Sequence, residues 1–163
     1  MNTSSHYDSS AFIPASAEEL FAYVDDPARF SSHMTQSSWM MGGGTMDVSV
    51  DAGRGQEVGS HVGLSGKAFG MSLFLDEVVT RHEPPLLKVW ETVGSPKLLV
   101  VGHYRMAIEI TPHDGGSLLR VSIDYALPTA HAWIGRMFGG AYAKWCVRQM
   151  IQGASDHFKI HPR

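Results

Sequence analysis

GHYRMAIEITPHDGGSLLRVSIDYALPTAHAWIGRMFGGAYAKWCVRQMIQGASDHF, residues 102–158, decides the fold through one change of period. From Gly102 to Thr111, Tyr104, Met106, Ile108 and Ile110 alternate with Arg105, Ala107 and Glu109. From Leu118 to Leu127, Leu119, Val121, Ile123, Tyr125 and Leu127 alternate with Arg120, Ser122 and Asp124. Period 2 with a single apolar parity predicts two strands that pack on one face and meet water on the other. Pro112-His113-Asp114-Gly115-Gly116 between them has the turn chemistry of a hairpin. After Pro128 the period lengthens. From about residue 130 to 158 there is no proline, and Trp133, Ile134, Met137, Phe138, Ala141, Trp145, Ile151 and Phe158 recur at helical spacing. Such a helix runs about 43 Å, enough to cross a whole sheet. Gly139-Gly140 in its middle costs ~1 kcal/mol per glycine relative to alanine, which predicts a bend or a close backbone approach there.

Upstream, from Trp39 to Leu127, short runs rich in Val, Thr, Phe and Leu are broken by Gly, Pro and Asp, and read as six strands of an antiparallel meander. At the amino end Ala11-Phe12-Ile13-Pro14 closes a first strand. Ser16-Ala17-Glu18-Glu19 then forms a capping box, in which Ser16 accepts from the Glu19 amide and Glu19 reaches back to Ser16. A short helix through Leu20, Phe21 and Val24 follows. Asp26 as N-cap and Pro27 at the first helical position start a second, through Phe30 to about Met34. The order is strand, two short helices, six strands and a long helix: one α+β domain over residues 8–159, with a polar extension at 1–7 and a tail at 160–163.

The 163 residues suit a single domain, and 44% AVILMFWYC against 18% charged residues leaves apolar material to line a cavity as well as to fill a core. The net charge of −3 argues against nucleic acid or an anionic membrane surface as the main partner, since both demand clustered positive charge. One cysteine, Cys146, makes no internal disulfide, and a reducing cytoplasm fits. No run approaches the length of a spanning helix, and the opening lacks the pattern of a secretory signal.

Three passages resemble one superfamily. Phe12 through Pro27 is similar to its opening, in which a strand leads into a short helix and then Asp-Pro. Glu83-Pro84-Pro85-Leu86-Leu87-Lys88 resembles its turn into a central strand, and Pro112 through Pro128 its final hairpin before the long helix. This is the helix-grip superfamily, often labelled SRPBCC, of START lipid-transfer domains, the birch-pollen allergen family and polyketide cyclases. The resemblance implies a curved seven-stranded antiparallel sheet wrapped around the carboxy-terminal helix. Between them it implies a cavity for a small, largely apolar ligand such as a lipid, an isoprenoid or a polyketide.

For function the leading expectation is binding or transfer of such a molecule, by a monomer or homodimer without a cofactor. The alternatives are a metal-independent cyclase or dehydratase, and a protein-interaction module. An apolar cavity with only hydroxyls favours binding; two titratable groups converging within hydrogen-bond reach favour catalysis. The parity of the hairpin turns Tyr104, Met106, Ile123 and Tyr125 to the concave face, and the first half of the long helix adds Trp133 and Met137 as ligand-binding candidates. Glu91 is the catalytic candidate if its face, shared with Leu87, Val89 and Val93, is concave, because a carboxylate in an apolar pocket has a raised pKa. The opposite parity puts Lys88, Trp90 and Thr92 inward and leaves Glu91 in water. The nine histidines, at 6, 33, 61, 82, 103, 113, 131, 157 and 161, include no H-E-x-x-H motif, and no metal is expected.

Overall fold

The computed structural model describes residues 4–30, 45–68, 70–97, 101–128 and 132–160. Its strands are β1 (Ser5–Ile13), β2 (Thr45–Val50), β3 (His61–Ala68), β4 (Met71–Glu83), β5 (Leu87–Lys97), β6 (Tyr104–His113) and β7 (Gly116–Tyr125). Helices α1 (Ala17–Val24) and α2 (Pro27–Phe30) follow β1, and α3 (Ala132–Ile160) follows β7. All strands join one antiparallel sheet in the order β1-β7-β6-β5-β4-β3-β2, curved around α3. The expected continuation of α2 to Met34 and the start of the strand-rich region at Trp39 lie outside the described residues.

The sheet begins earlier than the sequence suggests. Strand β1 starts at Ser5, inside the stretch read as a polar extension, and pairs with β7 from Ser5↔Tyr125 to Ile13↔Ser117. It escapes apolar patterning because it is a sheet edge whose first residues stay largely exposed, so serines and Asp8 suffice on the wet side. The β6–β7 hairpin has the expected register, Met106↔Ile123 and Ile108↔Val121, and its tip turns at Asp114-Gly115, where Gly115 takes φ +80°.

On the concave face Met106, Ile108, Ile110, Leu119, Val121, Ile123 and Tyr125 are all buried, while Arg105 and Asp124 face water. Helix α1 is held by the expected capping box, with the Glu19 amide donating to Ser16 Oγ at 3.2 Å and the Ser16 amide to Glu19 Oε2 at 3.1 Å. Asp26 caps α2, accepting from the Ala28 amide at 3.0 Å. Helix α3 packs by Ala143, Val147, Met150, Ile151 and Ala154 from its middle onward. Before Ala143 the buried positions of this helix are Gly135 and Gly139, while Trp133, Met137 and Phe138 are exposed.

Candidate functional site

A bulge in β4 builds the site. Leu75, Glu77 and Val79 point to the concave face by simple alternation, and continued alternation would bring Arg81 in next. Between Val79↔Trp90 and Arg81↔Val89 the register shifts, leaving Thr80 as an extra residue. Arg81 is thereby turned out, and His82 comes in beside Lys88, its partner on β5. Both reach Asp25, the C-cap of α1.

Asp25 is the hub. Its carboxylate oxygens lie 2.9 Å from Lys88 Nζ and 2.9 and 3.0 Å from His82 Nε2, and Lys88 also donates to the Asp25 carbonyl at 3.0 Å. A carboxylate at a helix C-terminus is normally disfavoured by the helix dipole, and the Lys88 ammonium offsets that. The cluster is dry, with 5% of the Lys88 and 12% of the Asp25 side chain exposed. Burial pulls the Lys88 pKa down from the usual lysine value, and the hydrogen bond and charge of Asp25 oppose the shift.

Next to this pair lies Glu77, itself 5% exposed. Burial pushes its carboxyl up to about 8, against hydrogen bonds from the Tyr104 hydroxyl and the Trp90 indole and the charge of Lys88. At neutral pH it is therefore largely protonated. Burial also raises Tyr104 well above the usual phenol value, reinforced by the Glu77 charge. Glu77, Lys88 and Trp90 line a pocket completed by Val24, Pro27, Phe30, Val62 and Val79. Its cavity of about 30 Å³ has room for a carbonyl group or one or two waters, not for a hydrocarbon chain. The ring of Phe30 meets that of Trp90 edge-on at 6.1 Å, and Lys88 Nζ stands 5.8 Å from the Trp90 centroid.

The structure distributes the expected site residues unevenly. Tyr104 reaches the pocket through Glu77. Met106, Ile123 and Tyr125 turn inward but belong to the packed core. Trp133 and Met137 do not line this pocket: they are 59% and 65% exposed, because Gly135 and Gly139 take the inner face of α3. Glu91 lies on the opposite face of β5, across from Arg105, while Lys88 and Thr92 are buried on the concave side with Trp90 beside them. The catalytic candidate shifts accordingly from Glu91 to Glu77. Its signal was its parity with Leu75 and Val79, masked because Asp76 puts a carboxylate on the other parity as well. His61 is exposed and bonds Asp76 at 2.9 Å. Among the described residues no three His, Cys, Asp or Glu converge on a metal position. Cys146 is buried, with its thiol pushed up to about 12 by desolvation, an inert packed group.

Replacing Asp25 with alanine removes one partner from a buried ammonium, and a loss of about 3 kcal/mol is expected. The Asp25→Ala/Lys88→Met double variant should recover much of it, since no charge is then stranded. Chemical denaturation of the four members of this cycle checks the expectation, and strict additivity would show that the pair is uncoupled.

A family model described as polyketide cyclase / dehydrase and lipid transport matches residues 5–159. Among solved structures, norcoclaurine synthase from Thalictrum flavum, in complex with dopamine and hydroxybenzaldehyde, superposes with a TM-score of 0.69 at 15% identity, covering 99% of this chain and 90% of that one. Ara h 8.0201 gives a TM-score of 0.62 at 9% identity over 93% of this chain and 98% of its own. The di-domain ARO/CYC protein BexL from the BE-7585A biosynthetic pathway gives 0.66 at 15% identity, over 94% of this chain and 50% of that one. At these identities the likeness is one of fold. A search of curated proteins finds no match. Among the described residues no helix is long and apolar enough to cross a membrane.

Proposed function

The chain belongs to the polyketide cyclase / dehydrase and lipid transport family, and on that premise we propose that it is a metal-independent acid–base enzyme of cyclase or dehydratase type acting on a small, largely apolar carbonyl compound. The observation that carries this reading is Glu77: a buried carboxyl in a pocket wall, with a pKa near 8 and a lysine ammonium beside it. Two titratable groups converging in a cavity are what proton transfer requires and what simple apolar binding does not.

In the proposed step the ionised Glu77 carboxylate takes a proton from the carbon next to the substrate carbonyl. The C–H electron pair passes into the enolate, whose oxygen is stabilised by the Lys88 ammonium. The enolate carbon closes on a second carbonyl of the same molecule, and protonated Glu77 gives its proton to the alkoxide formed there. The Glu77 carboxylate then takes the remaining proton from the same carbon and delivers it to that hydroxyl, which leaves as water as the C=C bond forms. The carbonyl end alone enters this cavity, and the apolar body of the substrate stays at its mouth. A second reading, binding or transfer without chemistry, is favoured by the apolar walls of Val24, Phe30, Val62 and Val79.

Proton exchange distinguishes the two. With acetophenone in D₂O, followed by proton NMR, the wild type should speed exchange of the methyl protons. The rate should rise with pH and level off above about 8 as Glu77 ionises. Glu77→Gln should lower it by roughly 10²–10⁴. Acetophenone binding without accelerated exchange, or exchange that survives Glu77→Gln, removes the enzyme reading and leaves the carrier.

A further inference from the structure

The first half of α3 turns its large apolar side chains to water. Trp133, Met137 and Phe138 are 59%, 65% and 50% exposed; Trp133 and Met137 fall on the side of the helix opposite Gly135 and Gly139, and Phe138 lies at the flank of that side. An apolar patch kept in solvent on a helix whose buried side is glycine is not explained by the core, and patches of this kind mark contact surfaces. Their charged neighbours say which kind. Between residues 132 and 151 the helix carries Arg136, Lys144 and Arg148 and no Asp or Glu, although the whole chain has a net charge of −3. Arg136, Lys144 and Arg148 are exposed; Arg148 Nε donates to the Tyr7 hydroxyl at 3.3 Å and Lys144 Nζ lies 5.9 Å from the Tyr7 ring centroid. The overall charge thus hides a local cationic face.

We infer that the first half of α3 docks the protein on an anionic lipid bilayer, with Trp133, Met137 and Phe138 entering the headgroup boundary and Arg136 and Lys144 meeting lipid phosphates. An interfacial helix is recognised by this combination of aromatic and apolar insertion with flanking basic residues. A second copy of the same face would set these cations against one another, so charge favours the bilayer over self-association. The inference stands apart from the pocket chemistry.

Vesicle sedimentation tests it. The wild type should co-sediment with phosphatidylcholine vesicles containing phosphatidylglycerol, bind pure phosphatidylcholine far less, and be released by added salt. Met137→Glu should lower the bound fraction while leaving the melting curve unchanged, because the side chain has little packing to lose. Arg136→Glu/Lys144→Glu should weaken binding about tenfold or more. Trp133→Phe should retain binding but lose most of the vesicle-induced blue shift in fluorescence, and Glu77→Gln should bind vesicles as the wild type does. Equal binding to neutral and anionic vesicles, no binding to either, or undiminished binding by Met137→Glu would overturn the proposal. So would a dimer in sedimentation velocity that Met137→Glu dissolves without any vesicle binding by the wild type, since the patch would then be a subunit interface.

Discussion

Glu77→Gln is expected to yield a protein that is more stable and less active at once. Folding holds a proton on Glu77 that the unfolded chain releases, since the carboxyl moves from 4.5 to about 8 on burial. Between those values the native state binds more protons than the unfolded state, so stability falls as pH rises and the loss is complete a little above 8. At neutral pH the penalty is on the order of 3 kcal/mol, and it grows further toward pH 9. Glutamine keeps the shape of the side chain, still accepts from Tyr104 and Trp90, and never ionises. The variant should therefore melt roughly 6–12 °C higher at pH 7, with a gap that is small near pH 5 and widest near pH 9. Its proton-exchange activity should fall to background. A group retained at such a cost in stability is the usual mark of a working site. Parallel melting profiles for the two proteins from pH 5 to pH 9 would mean that Glu77 is not held protonated by burial.

Ile123→Asp should unfold the domain outright. Ile123 is 5% exposed, faces Met106 across the β6–β7 ladder and sits in the main cluster with Val121, Tyr125 and the inner face of α3. An unpaired carboxylate placed there loses its hydration without finding a donor, and the isoleucine packing is lost as well. The cost of several kcal/mol is comparable to a typical total stability of ~5–15 kcal/mol. His113→Ala, at the exposed end of the same hairpin, should change the melting temperature little. Circular dichroism of the two variants decides the matter, and two equally cooperative melts near the wild-type temperature would contradict the core described above.

These two residues also mark what the sequence makes legible. The β6–β7 hairpin announces itself because one apolar parity runs unbroken through both strands, so register and facing follow from the alternation alone. Ser16, Glu19 and Asp26 are equally readable, because capping is a local bargain between side chain and backbone. The facing of α3 is not, since its large apolar residues draw the eye to Trp133 and Met137. The buried positions near its start are Gly135 and Gly139, which no hydrophobic pattern registers. The site was hidden for another reason. Lys88, His82 and Asp25 meet only because a bulge at Thr80 reverses the parity of β4, and a one-residue register shift leaves no trace in composition or period. On β5 both facings were open from the sequence, and the structure selects the one that turns Lys88 and Thr92 to the concave side and Glu91 to the other.

On the ribosome β1 emerges first among these elements and has nothing to pair with. In the folded protein Ser117 Oγ donates to the Ala15 carbonyl 102 residues away, so at ~5–20 residues per second several seconds of synthesis separate the two partners. Throughout that interval one edge of the sheet is missing, and the apolar concave surface waits uncovered for α3, which is made after every strand. The nascent chain therefore passes through a period of high aggregation hazard in which holding chaperones have an exposed target. Folding completes only when the most distant contacts close, which places it among slow, high-contact-order domains and makes carboxy-terminal truncation equivalent to removing the amino-terminal strand's reason to order.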